Sequence, residues 1–246
     1  MSDGETVVCG FADEATDLAA VVWEISGERG ALLARGGEIS FAETSIDRQG
    51  DRLRIRLEAG RLSCQVELSP RPVETALSTA EGEPMAGDPS SAICEVRVGV
   101  SGDGAERTID CLGHLTRWST DPTDGAELVR HLAFPGPAGA LLVLAARREA
   151  GGENQDAERV LAWQLDPEGQ ARPFGEALLS TQYDEAEVQT RAGLELWPQE
   201  GEAPPLRAAG TVQEGQVVNG ERVTAALLHS SAEGTPGIGS YLIWRD

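Results

Sequence analysis

Few side chains in this sequence can move a proton near neutral pH. The chain has three histidines, His114, His131 and His229, and histidine is the side chain whose ordinary pKa lies closest to neutrality. Of these, His229 and His131 are candidate general bases. Between Arg222 and His229, polar Arg222 and Thr224 alternate with Val223, Ala225, Leu227 and His229. Period-two alternation places His229 on the apolar face of a strand, where an imidazole would titrate low through desolvation. His131 shares a strand face with Val129 and Ala133, while Arg130 takes the other. Tyr183, beside Asp184, is a candidate proton donor. Against these roles stand plainer ones: a packed, hydrogen-bonded core histidine, or a tyrosine in a surface turn.

Candidate ligand contacts are Arg117, Trp118, Trp163 and again His229. An Arg117 guanidinium stacked on Trp118 would close the base of a barrel by a cation–π contact, worth ~0.5–2 kcal/mol. Trp163 alternates with the same face as Leu161 and Leu165, as core or as pocket wall. Asp110 lies between Ile109 and Cys111, so parity turns it outward, away from any apolar site where an acid would be useful.

Other chemistries lack their patterns. No two histidines stand at i, i+2 and no H-E-x-x-H occurs, so no metal site is expected. Cys9, Cys64, Cys94 and Cys111 form no C-x-x-C pair and read as free thiols, buried for the most part. There is no G-x-S-x-G elbow and no glycine-rich phosphate loop, and Asp121 to Glu127 lacks the calcium-loop register. The expectation is a protein without a cofactor.

Charge narrows the partners. Asp and Glu number 41 against 20 basic residues, all of them arginine, for a net charge of −21. Such a surface repels polyanions, so nucleic acid is not an expected partner, and anionic membranes are disfavoured too. The opening Met1 to Glu5 is acidic and has no apolar core of a secretory signal. The longest apolar run, Ala138 to Ala146, is about half of a membrane span. A cytoplasmic protein with no membrane span is expected, its oligomeric state left open.

The elements that must position these residues are strands. Arg52 to Glu58 sets Leu53, Ile55 and Leu57 on one face and three arginines on the other. Cys64 to Leu68, Cys94 to Val98 and Leu194 to Leu196 repeat the pattern, which suits antiparallel sheet with one wet face. Turn signals such as Ser26-Gly27, Gln49-Gly50-Asp51, Asp166 to Gly169 and Asn219-Gly220 separate about sixteen strand candidates. No stretch has a sustained 3.6-residue apolar period; Ala12 to Ala20 and Pro70 to Ala80 hold a helical turn at most. The fold class is all-β with very little helix. Residues 69–91 contain four prolines and read as a linker or long loop. The predicted division is an N-terminal β-barrel-like half over 1–110 and a C-terminal barrel over 111–246, with a further boundary signal after Gly113.

Several of these runs resemble the tandem-lipocalin superfamily, which includes carotenoid hydratases of the hydroxyneurosporene synthase type and some natural-product cyclases. Ile109 to His114 is similar to the opening of its second barrel. Leu179 to Asp184, Arg191 to Trp197, Arg207 to Gly210 and Gly237 to Tyr241 look like that barrel's later strands. Members often carry a His-x-Trp-Gly element; here His114 to Ser119 keeps the tryptophan and lacks the glycine. The resemblance implies two antiparallel lipocalin-like barrels in tandem, and it carries over no catalytic residue. The leading expectation is a protein that binds a small apolar molecule, lipid or isoprenoid-like, inside its second half. The alternatives are a hydratase or cyclase acting on an isoprenoid or polyketide-like substrate, and a β-sandwich carbohydrate-binding or interaction module.

Overall fold

The computed structural model describes residues 6–13, 18–25, 28–35, 38–41, 43–59, 62–79, 81–83, 85, 87–102, 105–151, 158–199, 204–219 and 222–245. The turns expected at Ser26-Gly27 and at Gly220, and the N-terminal five residues, lie outside them. Period two becomes strand throughout: the described residues form eighteen strands and one 3-10 turn, Pro137–Gly139.

The first sheet comprises β1 (Thr6–Asp13), β2 (Leu18–Ile25), β3 (Glu28–Arg35), β4 (Glu38–Phe41), β5 (Glu43–Gln49), β6 (Arg52–Ala59), β7 (Leu62–Ala76), β8 (Pro89–Gly102) and β9 (Ala105–Trp118). The second comprises β10 (Ala126–Pro135), β11 (Leu141–Glu149), β12 (Arg159–Leu165), β13 (Ala171–Pro173), β14 (Glu176–Tyr183), β15 (Gln189–Trp197), β16 (Leu206–Asn219), β17 (Val223–Ala232) and β18 (Thr235–Arg245). Their orders are β4-β3-β2-β1-β9-β8-β7-β6-β5 and β13-β12-β11-β10-β18-β17-β16-β15-β14. The connectivity is the same twice. Each half starts mid-sheet, meanders to one edge, jumps to the other edge and meanders back to its first strand. In the second half the Phe174 amide donates to the Ala162 carbonyl and the Gly175 amide to the Trp197 carbonyl, which draws the two edges together. Two curled antiparallel sheets, one per half, are the architecture.

The division between halves falls later in the chain than the sequence predicts. β9 pairs with β1 and β8 down to Trp118, so residues 111–118 close the first sheet, and residues 119–125 make the connection. Ile109 to His114, likened to the start of the second barrel, is the last strand of the first.

The described residues of 69–91 are neither a free linker nor helical. β7 continues through Pro70 to Ala76, with a register shift between Arg71 and Thr75, and the described residues 77–79, 81–83, 85 and 87–88 belong to a strap that reaches the other half. There the Trp163 indole donates to the Ser78 carbonyl at 2.7 Å, and the Thr75 hydroxyl donates to the Gly169 carbonyl at 2.5 Å.

Side chains sort into three apolar regions. Leu53, Ile55, Leu57, Val66, Leu68 and Val98 fill the first barrel together with Cys9, Cys64 and Cys94. Leu132, Phe134, Leu142, Leu144, Leu194 and Tyr241 fill the second. Val8, Val21, Trp23, Trp118, Leu242 and Trp244 pack at the junction between the halves, with Leu77, Val143 and Trp163 beside them. Strands at the junction are therefore buried on both faces, which is why Leu141 to Ala146 reads as a continuous apolar run. Outer strands keep strict alternation, with Leu53, Ile55 and Leu57 inward and Arg52 and Arg56 exposed.

Candidate functional site at the junction of the two halves

β1, β8, β9, β10, β17 and β18 meet at one end of the junction without filling it. A cavity of about 390 Å³ opens there, walled by Phe11, Ala12, Ile93, Ala133, Leu141, Leu227 and Ile238, with Leu112 exposed among its lining residues. The polar side chains in its lining are His114, Thr235 and Ser240.

His114 is placed by register. It stands opposite Gly10 in the β1–β9 pair, and its ring leans across that residue. A Cβ on Gly10 would sit 2.5 Å from His114 Cε1, so the ring needs a glycine beneath it. Ser240, from β18 of the other half, brings its hydroxyl to 3.2 Å from His114 Nε2. This bond ties the two barrels at the cavity floor. Burial lowers the His114 pKa to about 4, which keeps the imidazole neutral at pH 7.

A second buried histidine lies behind the first. His131 Nε2 is 3.2 Å from the Thr116 hydroxyl, which is 2.7 Å from the Ser91 hydroxyl. Its ring meets the edge of Trp118 at 5.2 Å and lies 6.4 Å from His114. Burial, and then the neighbouring His114, lower its pKa to about 3. His131 Nδ1 is buried with no hydrogen-bond partner among the described residues, and His131 is not among the described residues lining the cavity.

The other residues singled out in the sequence are dispersed. His229 is exposed, contrary to the parity expectation. It does share a face with Val223, Ala225 and Leu227, but that face packs against the first half, not the barrel interior, and by residue 229 the strand has run past the junction into solvent. Tyr183 is 39% exposed, with the Arg245 guanidinium 5.6 Å above its ring. Arg117 does not stack on Trp118, because neighbours on a strand point to opposite faces. It is buried and pairs with Glu74 at 2.8 Å, while Trp118 packs edge-on to Trp244 at 6.3 Å. Trp163 is buried under the strap. Asp110 faces outward as expected and pairs with Arg97 at 2.9 Å. Cys9, Cys64 and Cys94 are buried and form no disulfide among the described residues, and burial pushes the Cys9 and Cys94 thiols up.

The cavity described above lies at the junction and not inside the second barrel, where the sequence reading placed it. Below its apolar filling, Arg130 pairs with Glu158 at 3.1 Å, and the Tyr241 and Thr181 hydroxyls are 2.7 Å apart. Desolvation raises the Glu158 carboxyl even though Arg130 and Arg148 oppose it, and raises the Tyr241 phenol.

His114 and Ser240 are thus the site residues that strand parity did not single out. The available signal was Gly10 inside the apolar run Val7 to Ala12, because a glycine within a strand marks close approach of another group.

Comparison with known proteins places the fold. No family model and no curated protein matches the chain. Among solved structures it is similar to an AttH-type protein from Nitrosomonas europaea, at 14% identity and a TM-score of 0.70, covering 98% of this chain and 91% of that one. It is also similar to kievitone hydratase from Nectria haematococca, at 10% identity and a TM-score of 0.61, covering 99% and 89%. CghA solved with Sch210972 matches at 10% identity and a TM-score of 0.59, covering 99% and 89%. The fold is that of tandem lipocalin-like barrels, as the sequence resemblance implied.

Proposed function

We propose that the protein binds a small, largely apolar molecule in the cavity between its two barrels. The carrying observation is the cavity itself: about 390 Å³, walled by Phe11 and by aliphatic and small side chains, with an imidazole and a hydroxyl at its floor. Binding sites for small molecules fall in a volume range of roughly 300–1,000 Å³ and combine apolar walls with a few placed polar groups. The same fold in CghA was solved with a small molecule, Sch210972, which supports the reading.

A hydratase-like reaction is the competing reading, because kievitone hydratase shares the fold. Acid-catalysed hydration needs a proton donor at the substrate. His114 is the titratable side chain among the described lining residues, and its pKa of about 4 leaves almost no imidazolium at pH 7. This favours binding over acid catalysis. No helix among the described residues is long and apolar enough to cross a membrane. We propose a cytoplasmic protein that takes its ligand from the aqueous phase.

The test is saturable uptake of the apolar dye Nile red. Ala12 lines the cavity, half-buried. Ala12→Trp fills the space and should weaken uptake by about tenfold or more, the loss of roughly 1.4 kcal/mol of binding, in a protein that stays folded. Wild-type uptake by the folded variant would remove the proposal.

A further inference from the structure

We infer that His114 carries its proton on Nδ1 and presents it to the cavity, so that the molecule bound there is a neutral one with an acceptor oxygen, such as a ketone, at the end seated on the floor. This rests on the binding reading above and adds the class of ligand.

The tautomer follows from Ser240. Its side chain is 1% exposed, and a buried hydroxyl left without an acceptor costs about 1–3 kcal/mol. Among the described residues the acceptor within reach of that hydroxyl is His114 Nε2, at 3.2 Å. A neutral imidazole has one donor and one acceptor nitrogen. With Nε2 accepting from Ser240, the proton resides on Nδ1. Nothing in the surroundings favours a second proton, since the ring is desolvated and no carboxylate lines the cavity among the described residues.

The position of Nδ1 makes it available. His114 is 7% exposed and lines the cavity, and its hydrogen bond is made through Nε2. Gly10 lies beneath Cε1, where a Cβ would stand 2.5 Å from that atom and 3.1 Å from Nδ1, so no side chain at that position covers the ring, and Nδ1 is not among the enclosed side-chain atoms that lack a partner. His131 offers the contrast: its Nδ1 is wholly enclosed and cannot meet a ligand.

A donor in an apolar cavity sorts ligands by charge and polarity. A ketone oxygen accepts the Nδ1 proton and leaves its chain against Phe11, Ile93, Leu141 and Leu227. An alkane of equal size gains the same apolar contact and leaves the donor unmet. An ammonium sets donor against donor with no counter-charge in the described wall.

The experiment uses three probes of matched length, 2-undecanone, dodecane and undecylamine, each competing with Nile red on the full-length protein. The ketone is expected to bind about tenfold tighter than the alkane, the effect of one net hydrogen bond, and the amine weakest. In His114→Leu the ketone and alkane should bind within about twofold of each other. Equal binding of ketone and alkane to the wild type overturns the inference and leaves the binding reading intact. Failure of every probe, and of the dye, overturns the binding reading. The tautomer is read separately, by long-range ¹H–¹⁵N correlation on the ligand-free protein. An Nδ1–H pattern for His114, lost to a mixture in Ser240→Ala, is expected; an Nε2–H pattern in the wild type overturns the inference whatever the ligands do.

Discussion

The second barrel's interior and the junction are built from the same strands and end differently. β10 sends Leu128, Leu132 and Phe134 into the barrel and Val129, His131 and Ala133 to the junction. β18 sends Tyr241 and Ile243 inward, and Ser240, Leu242 and Trp244 to the junction. Inside the barrel leucines, Phe134, Tyr241 and Ile243 pack across a curled sheet with alanines between them. At the junction the residues grade along the strands. Trp23, Trp118 and Trp244 fill one end, while Gly10, Ala12, Ala133 and Ser240 leave the other open. The lesson is that side-chain size along one face, rather than barrel shape, decides where a guest molecule fits.

Acid should distinguish the two regions most strongly. His114 and His131 both lie at the junction, with pKa values lowered to about 4 and about 3. An unfolded histidine titrates near 6.5, so between these values the unfolded chain binds more protons. The stability that the neutral histidines contribute is complete above about pH 6.5 and is lost as pH falls toward 4 and below. By pH 5 the loss should be about 2 kcal/mol for each histidine, seen as a falling denaturation midpoint. A midpoint flat from pH 7 to 5 would mean that these rings are not enclosed.

Truncation should separate the regions next. Leu132→Ala inside the second barrel should cost about 3–4 kcal/mol, since the packed surroundings cannot collapse. Leu227→Ala, on the cavity wall, should cost about 1–2 kcal/mol, because its methyls already face a gap. Equal losses in urea denaturation would show the junction to be as tightly packed as the barrel.

Smaller effects follow at the strap and the outer wall. Trp163→Phe removes the indole donor to the Ser78 carbonyl and should cost about 1 kcal/mol, with faster proteolysis within residues 77–88. Arg54→Ala breaks a half-exposed pair with Glu67 at 2.7 Å and should change stability by less than about 1 kcal/mol.

Much of the fold was legible because alternation is a local property. Leu53, Ile55 and Leu57, then Cys64, Val66 and Leu68, then Leu194 and Leu196 all face inward as their spacing requires. The site was not legible for a related reason. Parity says that two residues share a face but not what the face meets. Leu227 and His229 share one, yet the first borders the cavity and the second meets water. Where two sheets pack against each other, both faces of a strand are apolar and the sequence has no mark separating barrel interior from junction. The pairing of His114 with Ser240 joins residues 126 positions apart, which no local pattern encodes. The strap was hidden for the same reason, since its proline-rich sequence looks like a linker until Trp163 and Gly169 are brought beside it.

That strap has a bearing on cooperativity. The strap leaves one half and is anchored on the other through Ser78, and the tryptophan-lined end of the junction lies between the same two bodies. Melting either half alone would strip the cover from Trp23, Trp118, Trp163 and Trp244 at once. Heat should therefore unfold the whole chain in one calorimetric transition with matching van't Hoff and calorimetric enthalpies, so the molecule behaves as a single thermodynamic domain despite its duplicated architecture.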